Sequence, residues 1–252
     1  MKKTNSEEEK QKIKAICDEL KQDKPDFEHL KQLCSVLPKP DRRHWGAIEP
    51  NWKEPNMTTN PLKVAVMDTK SIQSVEFFIK EMGFCVDAQW AGVCRTFAQR
   101  AEIRGLTSLT TAVALNHSDM VVTLLKLGAD INMNIPCYSY FNGKWHEYFT
   151  SPLLTAVELA KAATVKLLLD FGAKIQNVPT AHGGEINARV LAEQRQDLSV
   201  INVIEQHLKS MKSLKNLCRF TIRNEVCRNR QYDQISQLKL PPIMISYLTL
   251  DE

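Results

Sequence analysis

The side chains best able to do chemistry in this chain are its thiols and imidazoles. The 252 residues include seven cysteines, at positions 17, 34, 85, 94, 137, 218 and 227, and six histidines. A cysteine nucleophile needs a lowered pKa and a base within hydrogen-bond reach. Cys94 and Cys137 fall in long stretches between periodic segments, but the sequence fixes no histidine beside either. Both read as bystander thiols. A structural zinc site takes four cysteine or histidine ligands at short paired spacings, whereas here no Cys-x-x-Cys pair occurs and the histidines are scattered. Walker loop, Gly-x-Ser-x-Gly elbow and His-Glu-x-x-His helix are all missing. His182-Gly183-Gly184 is too short for a phosphate loop and reads as a turn. The expectation is a chain with no catalytic residue, no metal and no cofactor.

Composition narrows the class further. An odd cysteine number without paired motifs fits reduced thiols, as in the cytoplasm or nucleus. No apolar run reaches 18 residues, and no apolar segment follows the first lysines. Neither a membrane-spanning helix nor a signal peptide is therefore expected. The net charge is +4, but from Lys209 to Lys239 there are eight basic residues against two acidic ones. A basic tail raises the question of nucleic acid. Here the basic residues interleave with an apolar stripe and no aromatic stacking platform accompanies them. A solvated or partner-facing helix surface is the better reading, with no nucleic acid and no membrane as partner.

That stripe is Leu214, Cys218 and Ile222, each four residues from the next. At about 100° per residue they occupy roughly 80° of helix surface. Lys215, Arg219 and Arg223 fill the positions between them. The motif Ser213-Leu214, Cys218, Ile222 resembles the first part of a SOCS box. Leu238-Lys239-Leu240-Pro241 followed by Tyr247-Leu248 resembles its second part. Lys239 stands where that box usually has its first proline, and Ile243 where another is usual. The resemblance implies an elongin C site at Leu214, Leu217, Cys218 and Ile222, with elongin B behind it. It implies contacts to cullin-5 and its RING subunit at Leu238, Leu240, Pro241 and Tyr247.

The elements that must carry this tail are repeats. Asn60-Pro-Leu-Lys-Val-Ala65, Thr107-Ser-Leu-Thr-Thr-Ala112 and Ser151-Pro-Leu-Leu-Thr-Ala156 are three versions of one hexamer. An aliphatic helix follows each, and then Gly83, Gly128 or Gly172. Ser, Thr or Asn caps the first turn, proline sets the entry dihedral, and the small alanine lets two helices pack closely. Glycine takes the left-handed conformation that ends the second helix. The pattern resembles the ankyrin repeat, and residues 185–208 read as a degenerate fourth unit. Ahead of the array, residues 6–22 and a helix opening near Pro25 are amphipathic and expected to cap its first end. The organisation expected is 1–59 as a helical extension with a Pro- and Trp-containing loop, 60–208 as ankyrin repeats, and 209–252 as a SOCS box. The fold class is an all-α ankyrin solenoid of helix–turn–helix repeats with long finger loops, capped by a helical SOCS box.

Ala65 to Ala112 is 47 residues and Ala112 to Ala156 is 44, against about 33 for a standard repeat. The excess falls in two fingers. The first, near 88–106, carries Arg95, Arg100 and Arg104; the second, near 133–150, carries Tyr138, Tyr140, Phe141, Trp145, Tyr148 and Phe149. Such residues supply contact area for a protein target; equally, the aromatics could fold back and stabilise a long loop. Arg95, Arg100, Tyr138, Tyr140, Phe141 and Trp145 are the target-binding candidates.

Joined, the two resemblances are to the ankyrin repeat and SOCS box family. They imply the substrate-recognition subunit of an elongin B/C–cullin-5 RING ubiquitin ligase, itself non-catalytic, with an unidentified protein target. A non-degradative ankyrin scaffold is the alternative. The stripe yields a direct test. Leu214→Asp would put an unpaired charge into an apolar pocket, at a cost of several kcal/mol. Elongins B and C should then fail to co-purify with the variant.

Overall fold

The computed structural model describes residues 4–22, 24–35, 61–88, 90–94, 101–141, 144–180, 184–210, 218, 219, 221–223, 225, 226 and 232–249. Helices α1 (Thr4–Leu20) and α2 (Phe27–Ser35) precede four pairs: α3 (Pro61–Met67) with α4 (Ile72–Glu76), α5 (Ser108–Ala114) with α6 (Ser118–Lys126), α7 (Pro152–Glu158) with α8 (Ala162–Asp170), and α9 (Ala188–Gln194) with α10 (Leu198–Ser210). A 3-10 helix (Tyr232–Gln237) and α11 (Pro242–Thr249) follow. The first helices α3, α5, α7 and α9 stack side by side, and α1 extends their row. This is the helical solenoid that the hexamers imply.

Each pair is built by the same local chemistry. The Thr107 and Ser151 side chains accept from Thr110 N and Leu154 N, both at 3.2 Å. Asn187 does the same for Arg189 N and Val190 N at 3.1 and 3.0 Å, opening the fourth pair. Ala65, Ala112, Ala156 and Ala192 are wholly buried. The turn between helices is closed on these alanines: His117 N, Lys161 N and Asp197 N donate to the carbonyls of Ala112, Ala156 and Ala192 at 3.0, 3.0 and 3.2 Å. Just before those donors, Asn116, Ala160 and Gln196 take φ of 55°, 54° and 55°, as Lys70 does at 53° in the first pair. The second helices of the middle pairs end at Gly128 (φ 87°) and Gly172 (φ 95°), which a Cβ would oppose.

The first repeat is two residues longer between landmarks. Gly83 lies 18 residues after Ala65, while Gly128 and Gly172 lie 16 after Ala112 and Ala156. One extra residue sits in the turn at Lys70. The other is taken up by a π-helical turn, Phe77–Glu81, continuing α4, where Met82 N reaches back to Phe77 O at 3.1 Å. A single inserted residue is what such a turn absorbs. In the fourth repeat the glycine position holds Leu208, and α10 runs on to Ser210.

The fingers differ from the loops expected. They carry strands β1 (Trp90–Cys94), β2 (Ala101–Leu106), β3 (Ile135–Phe141) and β4 (Lys144–Thr150), paired antiparallel in the order β1-β2-β3-β4. Fingers this long would otherwise leave many backbone N–H and C=O groups to water. Being adjacent, they pair with each other instead, through β2 and β3. A third finger is a short hairpin of β5 (Val178–Pro179) and β6 (Glu185–Ile186).

One core runs through the array, from Ile16, Leu20 and Leu30 through Phe78, Leu124 and Leu168 to Ile204, Ile235 and Leu248. The ring of Phe27 meets Phe77 at 5.2 Å, joining α2 to the first repeat. Polar rungs link successive repeats at the finger bases: Asp130 N donates to Asp87 Oδ1 at 2.9 Å, and Lys174 N to Asn132 Oδ1 at 2.7 Å.

The left-handed turns carry a stability prediction. Ala160 holds φ of 54°, a strain of about 1 kcal/mol or more. Ala160→Gly removes it and returns part as unfolded-chain entropy. Urea denaturation should find the variant about 0.5 kcal/mol more stable.

Candidate functional site

The candidate site lies where the C-terminal elements meet the array. Residues 218, 219, 221–223, 225 and 226 are helical, a basic helix with two distinct faces. Arg219, Arg223 and Val226 recur at spacings of four and three, which gathers them on one side. Cys218 and Ile222 lie about 100° round from them. Cys218 is exposed, and Ile222 is 36% exposed. Arg223 is wholly buried.

This corrects one expectation. The basic residues flanking the stripe were expected to be solvated or partner-facing, yet Arg219 and Arg223 turn toward the array. The reason lies in what Arg223 meets. Its Nη1 donates to the Asp170 carbonyl at 2.8 Å, its Nη2 to the Tyr247 carbonyl at 3.2 Å, and its Nε to the Leu248 carbonyl. Its guanidinium carbon lies 5.4 Å from the centre of the Phe171 ring. Asp170 ends α8, and Tyr247 and Leu248 lie in the last turn of α11. The final carbonyls of a helix lack intrahelical donors and carry the negative end of its dipole. A planar, multiply donating cation satisfies two such ends at once. Arg219 lies over the Tyr247 ring, 4.3 Å from its centre, a cation–π contact.

Around this junction Ile235 and Leu248 enter the core, and Val226, Leu240 and Ile245 pack against it. His207, on α10, shares a groove with Arg219, Lys166 and Asp170. Burial holds its imidazole below the ordinary histidine pKa, against the opposing pull of the Asp170 carboxylate. Asp170 in turn receives Lys166 Nζ at 2.6 Å.

The residues singled out from sequence divide as follows. Leu214, Leu217, Arg95 and Arg100 lie outside the described residues. Cys218 and Ile222 share the outward face. Leu238 and Pro241 are exposed, and Leu240 is half-buried. Pro241 opens α11 through its carbonyl, which accepts from Met244 N at 2.8 Å. Tyr247 is half-buried beneath Arg219. Tyr138, Tyr140 and Phe141 are positions in β3, and Trp145 in β4, with Tyr140 opposite Trp145 and Phe141 opposite Lys144. The tail and finger candidates therefore belong to separate elements. Arg223 was not among them, and neither were Ile243 and Met244, which are 79% and 49% exposed on α11.

Two thiols of the core are held in the protonated form. Burial pushes the Cys17 thiol up to about 12 and that of Cys34 to about 11, so both stay protonated at neutral pH. Among the described residues no cluster of His, Cys, Asp and Glu could hold a metal ion. Among the same residues no helix is long and apolar enough to cross a membrane.

Comparison with known proteins agrees with this architecture. Residues 104–134 match the ankyrin repeat, and residues 210–249 match the SOCS box. A helical solenoid of ankyrin repeats closed by a SOCS box defines a class of protein. The chain resembles the ankyrin repeat and SOCS box family in both of these segments. It is 27% identical to ankyrin repeat and SOCS box protein 5 of Oryctolagus cuniculus and 28% identical to the protein of that name in Mus musculus. The match covers 54% of this chain and 46% of each relative, so the matched part spans about half the relatives' length.

The junction can be tested at Arg223. Arg223→Met fills similar space but takes the Arg223 donors away from three carbonyls at the junction. The cost should be on the order of 3 kcal/mol in urea denaturation. Faster amide hydrogen exchange in α11 should accompany it. Arg223→Lys should recover only part of the loss, because an ammonium cannot fork as a guanidinium does.

Proposed function

We propose that this protein is the substrate-recognition subunit of an elongin B/C–cullin-5 RING ubiquitin ligase. The observation that carries the reading is the division of the basic helix. Arg219 and Arg223 hold one face to the array, and Cys218 and Ile222 stay exposed on the other. That outward face continues the stripe on which Leu214 is placed by sequence, with Leu217 one step round the helix from it, and elongin C is its proposed partner, with elongin B bound through elongin C. The relatives' names, which join ankyrin repeats to a SOCS box, support the same assignment.

Cullin-5 with its RING subunit would meet the segment of Leu238, Leu240, Pro241 and Tyr247. The exposure of Leu238 and Pro241 supports the first two contacts; the half-burial of Leu240 and Tyr247 leaves them to shape the surface as much as to touch it. The target would be held by the repeats and by the fingers that bear Arg95, Arg100, Tyr138, Tyr140, Phe141 and Trp145. The chain's contribution is proximity, raising the local concentration of target lysines near a conjugating enzyme bound elsewhere in the assembly. Its place of work would be the cytoplasm or nucleus.

A second reading has its own observation. Lys239 occupies the position usually held by proline and is exposed, as is Ile243. A chain so altered could hold elongins and a target without engaging a cullin, acting as a non-degradative scaffold. Titrating cullin-5 with its RING subunit against the full chain bound to elongins B and C decides between them. The ligase reading expects saturable binding that Pro241→Ala weakens about tenfold, with elongin co-purification unchanged. No binding at micromolar cullin-5 would overturn it in favour of the scaffold.

A further inference from the structure

The two long fingers form one sheet, and among the described residues its last strand has a side covered only at its base. β4 stands at the end of the order β1-β2-β3-β4. Its register with β3 is unbroken over seven pairs, from Ile135–Thr150 to Phe141–Lys144. Two residues, 142 and 143, lie between the paired ends. In a two-residue hairpin the flanking pair exchanges both backbone hydrogen bonds, and such pairs alternate along the ladder. Residues 144, 146, 148 and 150 therefore spend their backbone groups on β3. The N–H and C=O of Trp145, Glu147 and Phe149 point to the other side.

What could cover that side is short. The third finger supplies only β5 and β6, of two residues each, and β5 meets β4 close to the core, where Val178 is buried and Phe149 packs. Beyond that base, no strand among the described residues lies against β4. Edge strands are commonly protected by proline, by bulges or by inward charge. The opposite edge, β1, has a register break between Trp90 and Gly92. β4 has no proline and no break; its one lysine is Lys144, at the tip.

We infer that the outer edge of β4 binds an extended peptide segment of the target, which adds to the finger sheet as a fifth strand. The inference rests on the reading above that the fingers face the target, and it assigns the chemistry of recognition. Backbone groups of Trp145 and Glu147 give affinity, and alternate peptide side chains give selectivity, as in other strand-addition complexes. The occupant is a peptide and not a second copy of the chain. Two copies meeting edge to edge through a seven-residue strand would share about 24 Å of ladder. That contact buries well under the roughly 1,200 Å² of a stable complex. A flexible segment needs no larger interface than the strand it forms.

Panning a displayed library of random short peptides on the full-length chain tests this. Selected peptides are then made with single backbone N-methyl groups at each position in turn. Strand addition predicts losses of about tenfold at every second position and little between. Glu147→Pro, which removes an outward N–H, should weaken the same peptides by a similar factor. The peptide scan leaves the protein untouched, so it stands even if that variant disturbs the hairpin. Peptides whose binding is lost in Tyr140→Ala or Trp145→Ala but shows no alternation would overturn strand addition and leave the target-binding fingers standing. Peptides indifferent to every finger variant would overturn both. Self-association in sedimentation that Glu147→Pro abolishes would assign the edge to a second copy and likewise overturn the inference.

Discussion

The buried guanidinium of Arg223 joins the array to its C-terminal elements. Removing a cation from water costs several kcal/mol unless its donors find acceptors. Here they find three carbonyls in two places that sequence separates widely, at Asp170 and at Tyr247–Leu248. Apolar contacts alone would tolerate some sliding of one element over another. A fork of hydrogen bonds to fixed carbonyls does not. The position of α11 and the rotation of the basic helix about its axis are therefore set together. It is this rotation that turns Cys218 and Ile222 outward.

The same bond pattern ties the end of the array to its middle. A helical hairpin repeat cannot bury its own apolar faces and needs neighbours on both sides. At the first end, α1 and α2 supply them, with Leu20 and Leu30 entering the core beside Leu62. At the last end the covering is less regular. α10 overruns the place where its counterparts stop, and the C-terminal elements reach past it to the end of α8. Ile235 and Leu248 then extend the core to that side.

How much of this could be read in the residues depended on whether the signal was local. The caps at Thr107 and Ser151, the buried alanines and the terminating glycines act within one turn of helix, and all were legible. The fourth unit was half legible. Asn187 and Ala192 keep its cap and its packing alanine, but Leu208 hides the stop. The second finger carries a local signal of its own, since Asn142-Gly143 flanked by aromatics is a hairpin signature in the sequence. Its pairing with the first finger had no such sign, because β2 and β3 meet across a whole repeat. The outward stripe at Cys218 and Ile222 was legible from its period of four. Arg223 was not, since an arginine between stripe residues looks solvated until the carbonyls around it are known.

The finger ladder has a mechanical consequence. A stack of helical hairpins behaves as a spring, each unit free to rock slightly on the next. β2 and β3 lash the first finger to the second on one side of that spring. Flexing that opens this side must stretch backbone hydrogen bonds, while flexing toward the other side does not. The third finger is too short to continue the lashing, so compliance shifts toward the later repeats, next to the C-terminal elements. A load held on the fingers is thus borne by a stiff arm, and the give lies at the shoulder where that arm joins its mount.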